Sequence, residues 1–132
     1  MATFRCSIVT PSESLYEGHV EYASVPAYDG QLGVMTGQSP LLTRLGTGAL
    51  RLDTSEGARW YLVDGGFAQV QDNALTLLTE FAKPGESLDR SEAEAELAEA
   101  NARVTGDEAD QARVEADQRR AYAKLEVIRS RG

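Results

Sequence analysis

The chain has 132 residues, 42% of them hydrophobic, and a formal charge of −8 from 13 Lys and Arg against 21 Asp and Glu. That length suits one ordinary domain, or a small domain with an appendage, and can bury roughly two-thirds of its unfolded surface without staples. The acidity argues against nucleic acid or anionic lipid as main partner, and the single cysteine, Cys6, excludes an internal disulfide and fits a reducing compartment.

MATFRCSIVTP has no basic segment followed by an apolar core, so no secretory leader is expected. No apolar run approaches the ~20 residues that cross a bilayer. Thr3 to Thr10 alternates Phe4, Cys6 and Ile8 against Arg5 and Ser7, a half-buried strand closed by Pro11. Leu15-Tyr16 reads as a short strand before Gly18, and His19 to Val25 as a third with Val20 and Tyr22 on one face. Val25 to Leu50 then holds five glycines and two of the four prolines between short apolar runs. Punctuation this dense predicts short strands joined by tight corners and a rigid surface shape suited to a partner. Ala49 to Asp53 and Arg59 to Asp64 flank a hairpin loop, and Gly65-Gly66 marks a bulge or bend. Phe67 to Gln71 and Ala74 to Glu80 flank Asp72-Asn73, residues that tolerate the left-handed region of a tight turn. Eight to ten short strands in about 80 residues imply an antiparallel β-sandwich or flattened barrel.

At Lys83-Pro84-Gly85-Glu86 the character changes, since all four prolines and ten of the twelve glycines lie at or before Gly85. Residues 1–85 are expected to form the β-domain and residues 86–132 a two-helix antiparallel hairpin. Asp89 with Glu92 is a cap with a capping-box partner, and Ala93, Leu97, Ala100 and Val104 form the first stripe. Thr105-Gly106-Asp107 breaks the helix, and Asp107 caps a second whose stripe is Val114, Ala121, Leu125 and Ile128, with Ala112 and Ala116 alongside. Alanine faces bury little area, so at ~25 cal/mol per Å² the hairpin is expected to be held weakly and able to detach. A permanently docked helical cap is the other reading this pattern leaves open. Charge is uneven here: Asp89 to Val104 carries five acids and two bases, while Arg119, Arg120, Lys124, Arg129 and Arg131 gather late.

Residues for chemistry are sparse. His19 is the single histidine and has no evident Cys or carboxylate partner in its strand. Cys6 alternates with core positions and reads as an inert thiol. Gly46-Thr47-Gly48 lacks the later glycine and helix of a dinucleotide fingerprint, and Leu41 stands where a nucleophile elbow after Ser39 would need glycine. Metal spacing is absent too, and no cofactor is expected.

Several runs resemble the epsilon subunit of bacterial and chloroplast F-type ATP synthases. They are Gly30-Gln31-Leu32-Gly33-Val34, Gly37-Gln38-Ser39-Pro40-Leu41-Leu42, Leu45 and Gly48, then Gly65-Gly66-Phe67-Ala68-Gln69-Val70 and Asp72-Asn73 before Leu75-Thr76-Leu77-Leu78. Leu88-Asp89 leading into an alanine-rich helix completes a similarity that spans the chain in order. The resemblance implies a ten-stranded sandwich followed by two helices, in a non-catalytic subunit of the central rotor. It implies that the β-domain binds the gamma subunit and sits on the c-subunit ring, with Gln31, Val34, Gln38, Leu41 and Leu42 as partner-binding residues. It further implies inhibition of ATP hydrolysis by a hairpin that extends into the alpha/beta head, where Arg119, Arg120, Lys124 and Arg129 would meet acidic residues. The implied place is peripheral, on the cytoplasmic face of a bacterial plasma membrane, or alternatively on a thylakoid or other organelle membrane.

Two departures bear on sites. The family often has an acid in the place of Gln31 and a histidine in that of Gln38, so a charge-based ring contact is weakened here. Some members bind ATP through Ile/Leu-Asp-x-x-Arg-Ala; this chain has Leu88, Asp89 and Ala93, but Glu92 replaces the arginine. A carboxylate there repels phosphate, and Arg90 lies on another helical face, so weak or absent ATP binding is expected. The rival is a free-standing nucleotide or small-ligand sensor, which would need a basic pocket between sandwich and hairpin.

Overall fold

The computed structural model describes residues 2–131. Ten strands come first: β1 (Phe4–Val9), β2 (Ser14–Val20), β3 (Tyr22–Ala27), β4 (Gly30–Met35), β5 (Leu41–Arg44), β6 (Thr47–Thr54), β7 (Gly57–Asp64), β8 (Phe67–Gln71), β9 (Ala74–Leu78) and β10 (Phe81–Pro84). A 3-10 turn at Gly85–Ser87 leads into helix α1 (Arg90–Ala102) and then α2 (Glu108–Ser130). Two five-stranded sheets, ordered β2-β1-β9-β8-β5 and β10-β7-β6-β3-β4, make the expected sandwich. One pairing is parallel rather than antiparallel: β1 lies beside β9 with Cys6 opposite Leu75 and Ile8 opposite Leu77. Such a pair needs a long crossover, which the seven intervening strands supply.

Period-two alternation explains the core. Phe4, Cys6 and Ile8 turn inward and are at most 2% exposed, packing with Leu50, Leu52, Val63, Leu75 and Leu77 between the sheets. The unbroken run Trp60-Tyr61-Leu62-Val63 on β7 has apolar neighbours on both faces. Tyr61 and Val63 enter the sandwich core, while Leu62 enters a second cluster with Leu88, Ala93, Ala123, Val127 and Ile128 under the helices.

Gly18 is not a strand end. β2 continues through it to Val20, the chain bends at Glu21, and Tyr22 opens β3, so Val20 and Tyr22 belong to different strands. The glycine makes room: a Cβ there would stand 2.8 Å from the Tyr16 hydroxyl oxygen. The β6–β7 loop is tighter than expected, because Thr54 pairs with Gly57 and leaves two residues between them. Asp72 and Asn73 do occupy the left-handed region, with φ of 53° and 60°.

Asp89 caps α1, accepting from the Ser91 and Glu92 amides, and Asp107 caps α2 by accepting from Asp110 at 2.8 Å. The α1 cap is one-sided, with Glu92 exposed to solvent. The helices run antiparallel, as three ties show: Glu96 meets Lys124, Asn101 meets Gln118 and Arg103 meets Asp117. Ala93, Ala100 and Ala121 are buried as expected, but Val104 is 97% exposed because α1 stops at Ala102 and leaves it in the loop. Ala112 and Ala116 are exposed as well, whereas Ala123 and Val127 are buried. A single stripe cannot describe α2, which presents one face to α1 and another to β6 and β7.

Candidate functional site

The two outer faces of the sandwich are unlike each other. On the second sheet, α2 covers β6 and β7, with Val127 against Gly85 and the Arg131 guanidinium donating to the Gly85 carbonyl. A Cβ on Gly85 would lie 2.9 Å from both the Trp60 carbonyl oxygen and Val127 Cγ1, so glycine admits the helix here. Among the described residues, neither helix packs broadly on the first sheet. The register sets Arg44, Phe67, Leu78 and Val9 side by side across β5, β8, β9 and β1, with Leu42 one row away opposite Gln69. Leu42, Phe67 and Leu78 are 69%, 51% and 55% exposed. Val9, Pro11, Phe67 and Leu78 line a shallow apolar depression of about 360 Å³.

Leu42 belongs to this patch, and Leu41 beside it is half-buried against the core. Val34 does not offer itself to a partner: it is 1% exposed and fills the sandwich interior, because on β4 the inward parity falls on it. It is therefore removed from the partner-facing set. Gln31 is exposed at the start of β4, its amide donating to Ser24 Oγ at 2.7 Å. Gln38 lies beyond the other end of that strand, its backbone N–H closing a turn on the Met35 carbonyl. A six-residue strand is roughly 20 Å long, so one small contact cannot use both glutamines.

The remaining residues have local work. Leu88 is 7% exposed in the helical cluster, Asp89 spends its carboxylate on the cap, and Ala93 lies in the α1–α2 seam. Of the four bases expected to meet the head, Arg119 and Arg129 are exposed. The other two are engaged: Arg120 Nε stands 2.7 Å from Asp64 Oδ2, and Lys124 Nζ stands 3.0 and 2.8 Å from the Glu96 oxygens.

Sequence reasoning missed Phe67, Leu78, Asp64 and Glu96. The first two were detectable, since Ala68, Val70 and Leu77 claim the inward parity and force Phe67 and Leu78 out. Asp64 and Arg120 are 56 residues apart, and nothing local announces the pair.

A cavity of about 610 Å³ opens between β7 and the hairpin, lined by Arg59, Trp60, Tyr61, Pro84, Glu86 and Arg131 among others. Among the described residues no cluster of His, Cys, Asp or Glu could hold a metal, and no helix is long and apolar enough to cross a membrane. Burial pushes the Cys6 thiol up to about 12, which leaves it protonated and unreactive.

The sandwich with its helical appendage defines the class: residues 3–85 match the family model for the ATP synthase, Delta/Epsilon chain, beta-sandwich domain. The ATP synthase epsilon chain of Rhodopirellula baltica is 45% identical over 98 residues, covering 74% of this chain and 77% of that one. That of a Synechococcus strain is 34% identical over 127 residues, covering 95% and 93%. Among solved structures, a chain in the Euglena gracilis mitochondrial ATP synthase assembly (OSCP, F1 and c-ring in rotational state 1) superposes with a TM-score of 0.85 at 25% identity. That superposition covers 96% of this chain and 81% of its counterpart. The chain belongs to the ATP synthase epsilon chain family, and is a subunit of that complex rather than a catalyst in its own right.

Proposed function

We propose that this chain is a central-stalk rotor subunit that couples a c-subunit ring to the gamma subunit and restrains ATP hydrolysis through its C-terminal hairpin. Residues 1–85 form the part that stays bound, and residues 86–132 the part that can extend. The observation that carries the reading is the asymmetry of the sandwich. One face is occupied by the chain's own α2; the other leaves Leu42, Phe67 and Leu78 bare in adjacent rows. Contiguous exposed apolar residues of this kind mark a protein interface. Gamma takes that face, and the β3–β4 corner near Gln31 takes the ring by hydrogen bonds in place of charge. With its ring neighbour in the membrane, the chain is peripheral, on the cytoplasmic face of a bacterial plasma membrane or the equivalent face of a thylakoid.

Titrating gamma with the full chain tests the face directly. Leu42→Asp and Phe67→Asp are expected to weaken binding at least tenfold, because each carboxylate would be desolvated against the partner. Tyr122→Asp, on the exposed side of α2, is expected to leave binding unchanged. Equal binding by all three variants would refute this placement of gamma.

One observation favours a second reading, a nucleotide sensor: Arg59 and Arg131 both line the cavity between sandwich and hairpin. Glu86 lines it too and would repel phosphate, so this reading ranks second. Calorimetry with millimolar ATP and ADP decides it, and absence of heat removes it.

A further inference from the structure

Arg120 touches two strands directly and a third through its carboxylate partner. Its Nε and Nη2 lie 2.7 and 2.6 Å from Asp64 Oδ2, at the end of β7. Its guanidinium carbon stands 4.5 Å from the ring centre of Phe81 on β10. The second Asp64 oxygen accepts from the Thr47 hydroxyl of β6 at 2.7 Å, which fixes the carboxylate whether or not the arginine is there. Among the described residues this is the one ion pair between helices and sheets. No residue of α2 before Arg120 is fully buried, so Arg120 is the first anchor of that helix on the sandwich, ahead of Ala123 and Val127. One turn on, Lys124 is only 13% exposed and is paired with Glu96 of α1. Two of the four cations that an extended hairpin would offer to an acidic partner are thus already paired with the chain's own carboxylates.

We propose that Asp64, seconded by Glu96, is the latch of the hairpin: a built-in competitor that must give up Arg120 to a partner's carboxylate before the hairpin can extend. The inference rests on the reading of the hairpin as a part that can leave. Exchanging one carboxylate for another keeps the arginine paired in both states, and the Thr47 hydroxyl still bonds the Asp64 carboxylate that is left behind. The preoriented Asp64 recaptures the guanidinium when the partner lets go. Phe81 adds a cation–π contact that an acidic surface would not replace, and this biases the free chain toward the folded state.

Hydrogen exchange on the full chain tests the latch, read at the α2 amides from Ala121 to Ile128. Asp64→Asn keeps the shape and still accepts from Thr47, while Arg120→Met keeps the stem and removes the charge. Each is expected to raise hairpin opening about tenfold, with amides of β8 and β9 unchanged. The double variant should open no further than Arg120→Met alone, because that single change already removes both the ion pair and the Phe81 contact. Unchanged α2 exchange in Asp64→Asn, or additive effects in the double variant, would overturn the latch. ATP hydrolysis by the assembled complex separates this from the reading beneath it. If full and truncated chains give equal hydrolysis while Asp64→Asn still loosens α2, the inhibitory role fails and the latch stands.

Discussion

Single residues in this chain are constrained by room as much as by chemistry. Gly66 has φ of +107°, and a Cβ there would stand 2.1 Å from the Leu78 carbonyl oxygen. The Leu45 amide also bonds the Gly66 carbonyl, so the corner cannot shift away. Gly66→Ala is expected to cost roughly 3 kcal/mol or more, seen as a lower urea midpoint. Gly30→Ala is the control: its φ of +131° is strained for alanine, but nothing lies within 4 Å, so about 1 kcal/mol is expected. Equal losses at both positions would contradict this account of the corner. Cys6 gives a pH prediction. Its folded pKa is raised by burial to about 12 from an ordinary value near 9, so the folded chain keeps a proton that the unfolded chain releases. Stability is therefore full below about pH 9 and falls as pH rises toward 12, by at most about 1.4 kcal/mol per pH unit. Tyr16 and Tyr61, both raised by burial, act in the same direction above pH 10. Denaturant midpoints that stay level from pH 8 to pH 11 would contradict it.

At the scale of elements, the helices differ in how firmly they are held. α1 packs on α2, whereas α2 also reaches the second sheet through Val127 and the Gly85 gap. Amides of α1 should therefore exchange before those of α2, and both before β1, β8 and β9. Ala100 is fully buried in the seam, so Ala100→Leu is expected to force the helices apart at a cost of about 1–3 kcal/mol. The effect should be confined to hairpin amides; spread into the sandwich would show that the two parts open together. Strands and caps were legible because their signals are local. Phe4, Cys6 and Ile8 alternate, Asp72-Asn73 suits a left-handed turn, and Asp89 and Asp107 precede helix formers. Gly18 misled because a glycine that makes room for Tyr16 looks the same in sequence as one that ends a strand. The second face of α2 was illegible for a related reason: its Ala123 and Val127 are buried by residues of β6, β7 and the Gly85 turn, far away along the chain.

For the whole molecule, the division of labour follows from which surfaces are already satisfied. The core between the sheets is built from residues 4–77 with Ala82 packed against it, all outside the hairpin, so the sandwich carries its own stability. Removing the hairpin would uncover Leu62, Trp60, Phe81 and Ala49, a small cluster compared with that core. A chain ending at Glu86 is therefore expected to fold, to bind gamma as the full chain does, and to be less soluble. Family resemblance offered both Leu42 and Val34 as partner-binding residues; Leu42 is exposed but Val34 is buried, since position in a motif does not reveal the parity of a strand. We infer that the sandwich binds while the hairpin regulates. ATP hydrolysis by the reconstituted catalytic head, with the full chain and with the chain ending at Glu86, tests it most directly. Strong inhibition is expected from the full chain alone, relieved by charge reversal at Arg119, Arg120 and Lys124. Equal hydrolysis with both chains would contradict it and leave the helices as a fixed cap on the second sheet.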